Sequence, residues 1–466
     1  MDVDSLFYIK VMNLMIKSIE KPKPWLLVLT VGLGILLNPL NSSMISVALV
    51  RLQHSFDINV ATASWLISAF YLASAAGQPV VGKLSDMFGP KRLFLTGLVI
   101  VALASILAPF SPNFGMLLIC RILQAIGSST LFPSGMSMVR SQITEGQGKA
   151  LATLSVFSSI SAAFGPSIGG FLIETGDWPS IFIVNFPFII VSFILALFIL
   201  PSHAMGKIDL KRIDFGGITL FIIAMVTLIL FLLSLGETIR WWALPVTVLA
   251  FIGFYFFEKQ RSEPFIDLGS LKRNVNLSFV YLQFICINLV FYCYFFGLPM
   301  FLQDVKGYSE GKTGLIMLAM AGCGVFIAPI AGRWIDKSGS KPPLIAGGVS
   351  ILLGTVLLLT VGNHSPLWWL IVIMIILGIS NGFNNISMQT ALYDHVTPEE
   401  TGSASGLFQT SRYLGSISSS TILGLLFSTQ LDIGHLHKVV IVCIFGSLLV
   451  LALSLRLPGK RRGQQH

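Results

Sequence analysis

Apolar runs of about twenty residues, each long enough to cross a bilayer, recur from residue 25 to residue 456 and leave this chain few ways to fold. A soluble domain carries about a quarter of its residues as charges, whereas here 11% of 466 residues are charged and 54% are hydrophobic. No aqueous fold can hide that much apolar surface, so the bilayer must act as solvent. Strands of a membrane barrel alternate in polarity over about ten residues, and unbroken apolar runs exclude them. The expected fold class is an all-α membrane protein with fourteen transmembrane helices, the first near 25–47 and the last near 437–456.

Basic residues test this count. Twenty-three of the thirty Lys and Arg fall in loops on the side that holds both termini. Arg51, Arg240, Lys306, Lys312 and Lys438 lie opposite, and Arg121 and Arg412 lie inside helices. Positively charged loops stay in the cytoplasm, so both termini are expected there. A net charge of +9 therefore reads as orientation rather than as a nucleic-acid footprint. The five cysteines sit in apolar runs without metal-ligand spacing. Leu6 to Ile19 reads as an interfacial helix or as an unordered segment. No P-loop, H-E-x-x-H or G-x-S-x-G string appears, so ATP hydrolysis and enzyme catalysis are not indicated, and no metal or cofactor is expected.

The chain also repeats itself. Gly82, Asp86, Gly89 and Lys91 spell G-x-x-x-D-x-x-G-x-K after the second run, with Arg92 following. Gly332, Asp336, Gly339 and Lys341 spell it again after the tenth. Two copies at equivalent places imply a duplicated bundle. The glycines suit a tight turn, and each Asp can pair with a neighbouring helix terminus.

Here the sequence resembles the major facilitator superfamily over residues 25–456, and more narrowly its fourteen-helix drug:proton antiporter branch. The repeated string is similar to that family's loop motif, with Met87 where a basic residue is common. Leu117 to Ser129 resembles its fourth-helix motif around Arg121. Ser161 to Gly170 resembles the fifth-helix antiporter motif, with Ser161 in place of its first glycine. Trp178 to Pro187, and Glu258 with Glu263 to Leu268, are similar to habits of that branch. The resemblance implies a cytoplasmic segment 1–24, a six-helix bundle over 25–200, two extra helices within 201–276, a second bundle over 277–456 and a tail, 457–466.

Charge and polarity inside the spans mark candidate cavity residues. A mid-membrane arginine costs about 3 kcal/mol on insertion scales, so Arg121 should face a cavity or bond helix carbonyls. Arg412 either lines the cavity or snorkels. Asn41, Tyr71, Gln78, Gln124, Asn384, Asn385 and Gln389 are polar groups in apolar spans, each a cavity contact or an interhelical hydrogen bond. Gly82, Asp86, Gly89, Arg92, Gly332, Asp336 and Gly339 are candidate gating residues. Gly165, Pro166 and Gly169 join them as a bent, closely packed stretch expected at the interface between halves.

None of the 21 acids falls at mid-span. Where the branch carries an acid in its first helix, this chain has Asn41. Proton coupling would then use Asp86, Glu174, Asp177, Asp304 or Asp336. Two readings follow: a proton-coupled exporter of small lipophilic or weakly anionic compounds or drugs in the plasma membrane, acting as a monomer by alternating access, or an uncoupled or differently coupled exporter or facilitator of a small metabolite. A sensor or scaffold has no soluble domain to support it.

Overall fold

The computed structural model describes residues 23–58, 60–201, 214–235, 239–261, 264–308, 310–362, 365–427 and 432–458. The expected N-terminal helix, most of the linker after residue 201, Glu263 and the end of the tail lie outside those residues. Among them no strand occurs. The helices are α1 (Pro24–Ile35), α2 (Leu37–Phe56), α3 (Val60–Phe88), α4 (Pro90–Leu107), α5 (Phe114–Gln142), α6 (Gln147–Gly176), α7 (Ser180–Ile183) and α8 (Asn185–Ile199). They continue with α9 (Phe215–Ser234), α10 (Ala243–Lys259), α11 (Leu268–Arg273), α12 (Val275–Met300), α13 (Glu310–Ser338), α14 (Lys341–Leu358), α15 (Leu367–Tyr393), α16 (Thr401–Leu426) and α17 (Ile433–Arg456).

Local chemistry sets the ends. Asn113, Asp214, Asn274 and Asp432 cap α5, α9, α12 and α17 by accepting a backbone N–H from Met116, Gly217, Leu277 and His435. Pro24 and Pro90 open α1 and α4, where a missing N–H costs nothing. Side chains then sort by solvent in the sense a bilayer requires. Phe110, Phe198 and Phe326 are 79%, 84% and 78% exposed on outer faces, while Ser74, Ser105, Asn185 and Gln283 are buried completely.

Among the described residues, ten helical segments are long and apolar enough to cross a membrane. The other four expected spans coincide with α3, α6, α10 and α16, so fourteen crossings are not established by that measure. The reason differs among them. Helix α10 has 17 residues, and α6 and α16 carry many Gly, Ser and Thr, small residues suited to helix–helix contact rather than to lipid.

Helices α1–α8 pack on one another, as do α12–α17. The two groups meet where α3 crosses α16 and α13 crosses α6, and α9 with α10 forms a hairpin against α3 and α16. At these crossings the repeat has a second layer. Pro79 precedes Gly82 in α3 as Pro329 precedes Gly332 in α13, and both prolines are inside their helices. A β-carbon on Gly82 would lie 2.3 Å from the Gly402 carbonyl oxygen, and one on Gly332 would lie 2.6 Å from that of Gly148. These glycines therefore permit backbone-to-backbone contact between groups, which corrects their expected role in a turn. Gly89 and Gly339, with φ of 90° and 81°, make the turns.

Gly82→Val should wedge α3 from α16. Cysteine placed at the buried Ser85 should be shielded from a membrane-impermeant maleimide in the parent and become labelled in the Gly82→Val background. Equal shielding in both would show that the contact tolerates a side chain.

Candidate functional site: a double latch and two polar centres

Both repeat aspartates cap a helix of the opposite group. Asp86 accepts hydrogen bonds from the Gly402 and Ser403 amides at 2.8 and 2.7 Å and from the Ser403 hydroxyl at 2.6 Å. Asp336 accepts from the Gly148 and Lys149 amides at 2.8 and 3.2 Å. Each carboxylate thus meets the free N–H groups and positive dipole end of a helix, α16 or α6. Arg140, which the sequence reading missed, adds a third tie. It donates to the Tyr393, Val396 and Thr397 carbonyls and to the Thr401 hydroxyl, and its guanidinium lies over the Tyr393 ring at 5.3 Å. A cation on the last carbonyls of α15 complements that helix's negative end. Its position in the last turn of a helix gave no signal that separated it from an ordinary loop-side arginine. Arg92 is exposed on α4, outside these contacts.

Arg121 is buried inside the N-terminal group. It donates to Gln124 Oε1 at 2.9 Å and to the Asn41 and Leu66 carbonyls at 3.3 and 3.5 Å, and it lies 4.5 Å from the Phe70 ring centre. Gln124 donates onward to Ser105 at 2.8 Å, and Asn185 donates to Asn41 Oδ1 at 2.9 Å. Of the two readings of Arg121, carbonyl bonding describes this geometry. Asn185 belongs to the network too, and its place in the Trp178 to Pro187 stretch was the only signal for it.

A second centre sits between the groups. Tyr413 of α16 donates to Asn38 Oδ1 of α2 at 3.1 Å, and its ring lies 5.9 Å from that of Tyr71. One helical position away, Arg412 is half-buried, donates to Asn385 Oδ1 at 3.1 Å and stands 5.6 Å from the Phe284 ring. No described carboxylate pairs with it. Thr410 donates to the Ala75 carbonyl at 2.9 Å just below.

The remaining candidates separate. Asn384 is buried against Gly347 and donates to Ser380 at 3.0 Å, so it packs α15 on α14. Gln78 and Gln389 are buried, each with a side-chain carbonyl lacking a partner. Gly165 and Gly169 press on Ser43 and Met44 of α2, with Ser161 donating to the Leu36 carbonyl at 2.7 Å. That stretch lies within the N-terminal group, not at the expected interface between halves. The Pro166 side chain is outside the described residues. At the opposite end, Arg51 hydrogen-bonds Asp177 at 2.9 Å and holds its carboxyl below the usual carboxylate range. That contribution is present above an ordinary Asp pKa of about 3.9 and is lost as pH falls.

The long apolar helices, packed in two groups, define the class as a multi-pass helical membrane protein. The Major Facilitator Superfamily model matches residues 31–420, and the chain belongs to that family. Its members are transporters rather than enzymes. The chain is 44% identical to an uncharacterized MFS-type transporter, YwoD, of Bacillus subtilis (strain 168), over 91% of this chain and 95% of that one. It is 28% identical to the riboflavin transporter RibZ of Clostridioides difficile (strain 630), over 89% and 90%. It is 26% identical to the tetracenomycin C resistance and export protein of Streptomyces glaucescens, over 88% and 77%.

Arg121→Ala should leave Gln124 Oε1 without its donor in a buried site, at a cost of about 1–3 kcal/mol for the orphaned group, and should remove a second donor from two helix carbonyls. Its melting temperature should fall by several degrees, whereas Arg412→Ala, half-buried with one partner, should melt close to wild type. Equal melting of the two variants would contradict this division.

Proposed function

We propose that the chain is a secondary active exporter of small lipophilic or weakly anionic organic compounds, working by alternating access across the plasma membrane. In this reading it crosses fourteen times, with both termini and the repeat loops cytoplasmic, and its two six-helix bundles, over 25–200 and 277–456, rock about the Tyr71–Tyr413–Arg412 centre. The observation that carries the reading is the double latch. Asp86 on α16 and Asp336 on α6 are equivalent contacts, made only by helix termini and glycine surfaces, and such contacts can part and re-form without unfolding backbone. With the latch made, the cytoplasmic side is closed and the centre faces outward.

Arg412 and the neighbouring tyrosines suit a planar, electron-rich or anionic solute. An unpaired guanidinium disfavours cations, and Asn41 stands where a counter-charge for a cation would be. Stacking on Tyr71, Tyr413 and Phe284 supplies apolar contact without demanding one shape. Export of tetracenomycin C by the Streptomyces relative supports the direction, and riboflavin transport by the Clostridioides relative supports the alternative in which the solute is a small metabolite. Coupling to protons would act through Asp86 and Asp336. A protonated carboxyl no longer complements the helix dipole, so proton uptake loosens the latch.

Replacing Asp86 with Ala removes a charged cap worth about 1–2 kcal/mol, roughly a 5- to 30-fold shift toward the inward-open form. Cysteine at Ser403 should react correspondingly faster from the cytoplasmic side; an unchanged rate would mean that Asp86 only packs. For transport itself, everted vesicles with an imposed pH gradient and an acid-quenched dye should dequench on addition of neutral or anionic aromatic compounds. Dequenching should be lost in Arg412→Ala at equal abundance. Labelled-solute flux without dequenching would establish the uncoupled reading, and dequenching by cations alone would overturn the solute class.

A further inference from the structure

Three described side chains that ordinarily carry charge are buried: Arg121, Asp214 and Glu258. The first has three acceptors, one for each guanidinium nitrogen. The two acids are not saturated with donors, and they meet each other. Asp214 caps α9 and Glu258 lies in the last turn of α10, so the hairpin brings them together at the same end as the repeat loops. They are 6% and 3% exposed. A β-carbon on Gly217 would lie 2.2 Å from Glu258 Oε1 and 2.6 Å from Asp214 Oδ2, so both carboxyls converge on the point that this glycine leaves empty.

Their surroundings supply too few donors for two negative charges. Asp214 Oδ1 accepts from the Gly217 amide at 3.0 Å and has Arg261 Nε at 3.8 Å. Asp214 Oδ2 and both oxygens of Glu258 are buried and have no hydrogen-bond partner among the described residues. The Phe265 and Ile266 amides lie beside Glu258 without reaching bonding geometry. Arg261 is half exposed and stacks on Phe257. Lys259 points to solvent, and Asp267 is exposed beside Arg273 at 3.6 Å. From the far side, α3 and α16 present Ala75, Ala76, Tyr413 and Ile417 to the apolar cluster that holds Phe221, Phe254, Phe265 and Ile266. Those four side chains carry no charge.

Two carboxylates in contact away from water do not both ionise. One added proton turns either group into a donor and the other into its acceptor, which satisfies two of the three orphaned oxygens at once. We propose that Asp214 and Glu258 together form a proton-binding site, which holds one shared proton at neutral pH and closes the base of the α9–α10 hairpin against the segment leading to α12. The proton is taken from the adjoining aqueous phase. The site lies apart from the Arg412 centre and is independent of the transport reading.

The test uses the full-length protein in lipid nanodiscs. At neutral pH its infrared difference spectrum should contain the carbonyl band of a protonated carboxylic acid, lost in Glu258→Gln and kept in Asp86→Asn. The folded state then holds a proton that the unfolded chain releases above a pH of about 4.3. Folding should weaken by up to about tenfold per pH unit until the pair ionises. The melting temperature of wild type should accordingly fall as buffer moves from mildly acidic to mildly alkaline, and that fall should be absent in Glu258→Gln. Should Glu258→Gln fail to fold, Asp214→Asn is read in the same way. No band together with identical pH profiles would overturn the proposal. So would a melting temperature that rises with sodium at constant ionic strength in wild type alone, because the pair would then hold a metal cation.

Discussion

Backbone groups inside a bilayer must be satisfied within their own helix, and this constraint organises the molecule. Since no spanning segment can unravel, any large motion has to occur where one helix surface meets another. The chain meets that demand by concentrating small residues and chargeable caps at two crossings, α3 on α16 and α6 on α13. Gly82, Gly402, Gly148 and Gly332 remove the side chains that would hold the helices apart. Asp86 and Asp336 then supply directional contacts that favour one packing over another. The rest of the interior is tied more permanently: Arg121, Asn41, Asn185, Gln124 and Ser105 form a network that stays within one group of helices.

The distribution of charge follows from the same economy. A buried cation can be kept if several carbonyls surround it, and Arg121 has such a cage. Arg412 has one amide partner and one aromatic ring beside it, and under the proposed function it is left able to accept a further ligand. Two arginines that look alike in sequence thus serve different ends, and what separates them is the number of neighbouring acceptors.

Much of this was legible in the chain itself. Apolar runs gave the helices, the paired G-x-x-x-D-x-x-G-x-K strings gave the duplication, and the expected pairing of each Asp with a neighbouring helix terminus matches the geometry. Other features were not legible because they depend on which surfaces face one another. Gly82 and Gly332 read as turn residues, yet they sit mid-surface at a crossing. Gly165 and Gly169 read as an interface between halves, yet they pack α6 on α2. Asn384 and Asn385 are adjacent in sequence and point to different neighbours, Gly347 and Arg412. Arg140 and Tyr413 gave no local pattern, since their partners lie more than 250 residues away. Among the four expected spans that fell short of a simple length and hydropathy criterion, α10 is too short at 17 residues, whereas α6 and α16 carry many of the small and hydroxylic residues that helix–helix contact uses.

The central claim is that the two crossings form a latch that opens and closes during transport. Its most direct test is a pair of distance measurements by double electron–electron resonance in nanodiscs, with spin labels across the latch end in one sample and across the opposite end in another. The account predicts two populations at each end, with the short distance at one end accompanying the long distance at the other, and a shift between them on acidification. A single unchanging distance at the latch end, under conditions where the protein transports solute, would contradict it.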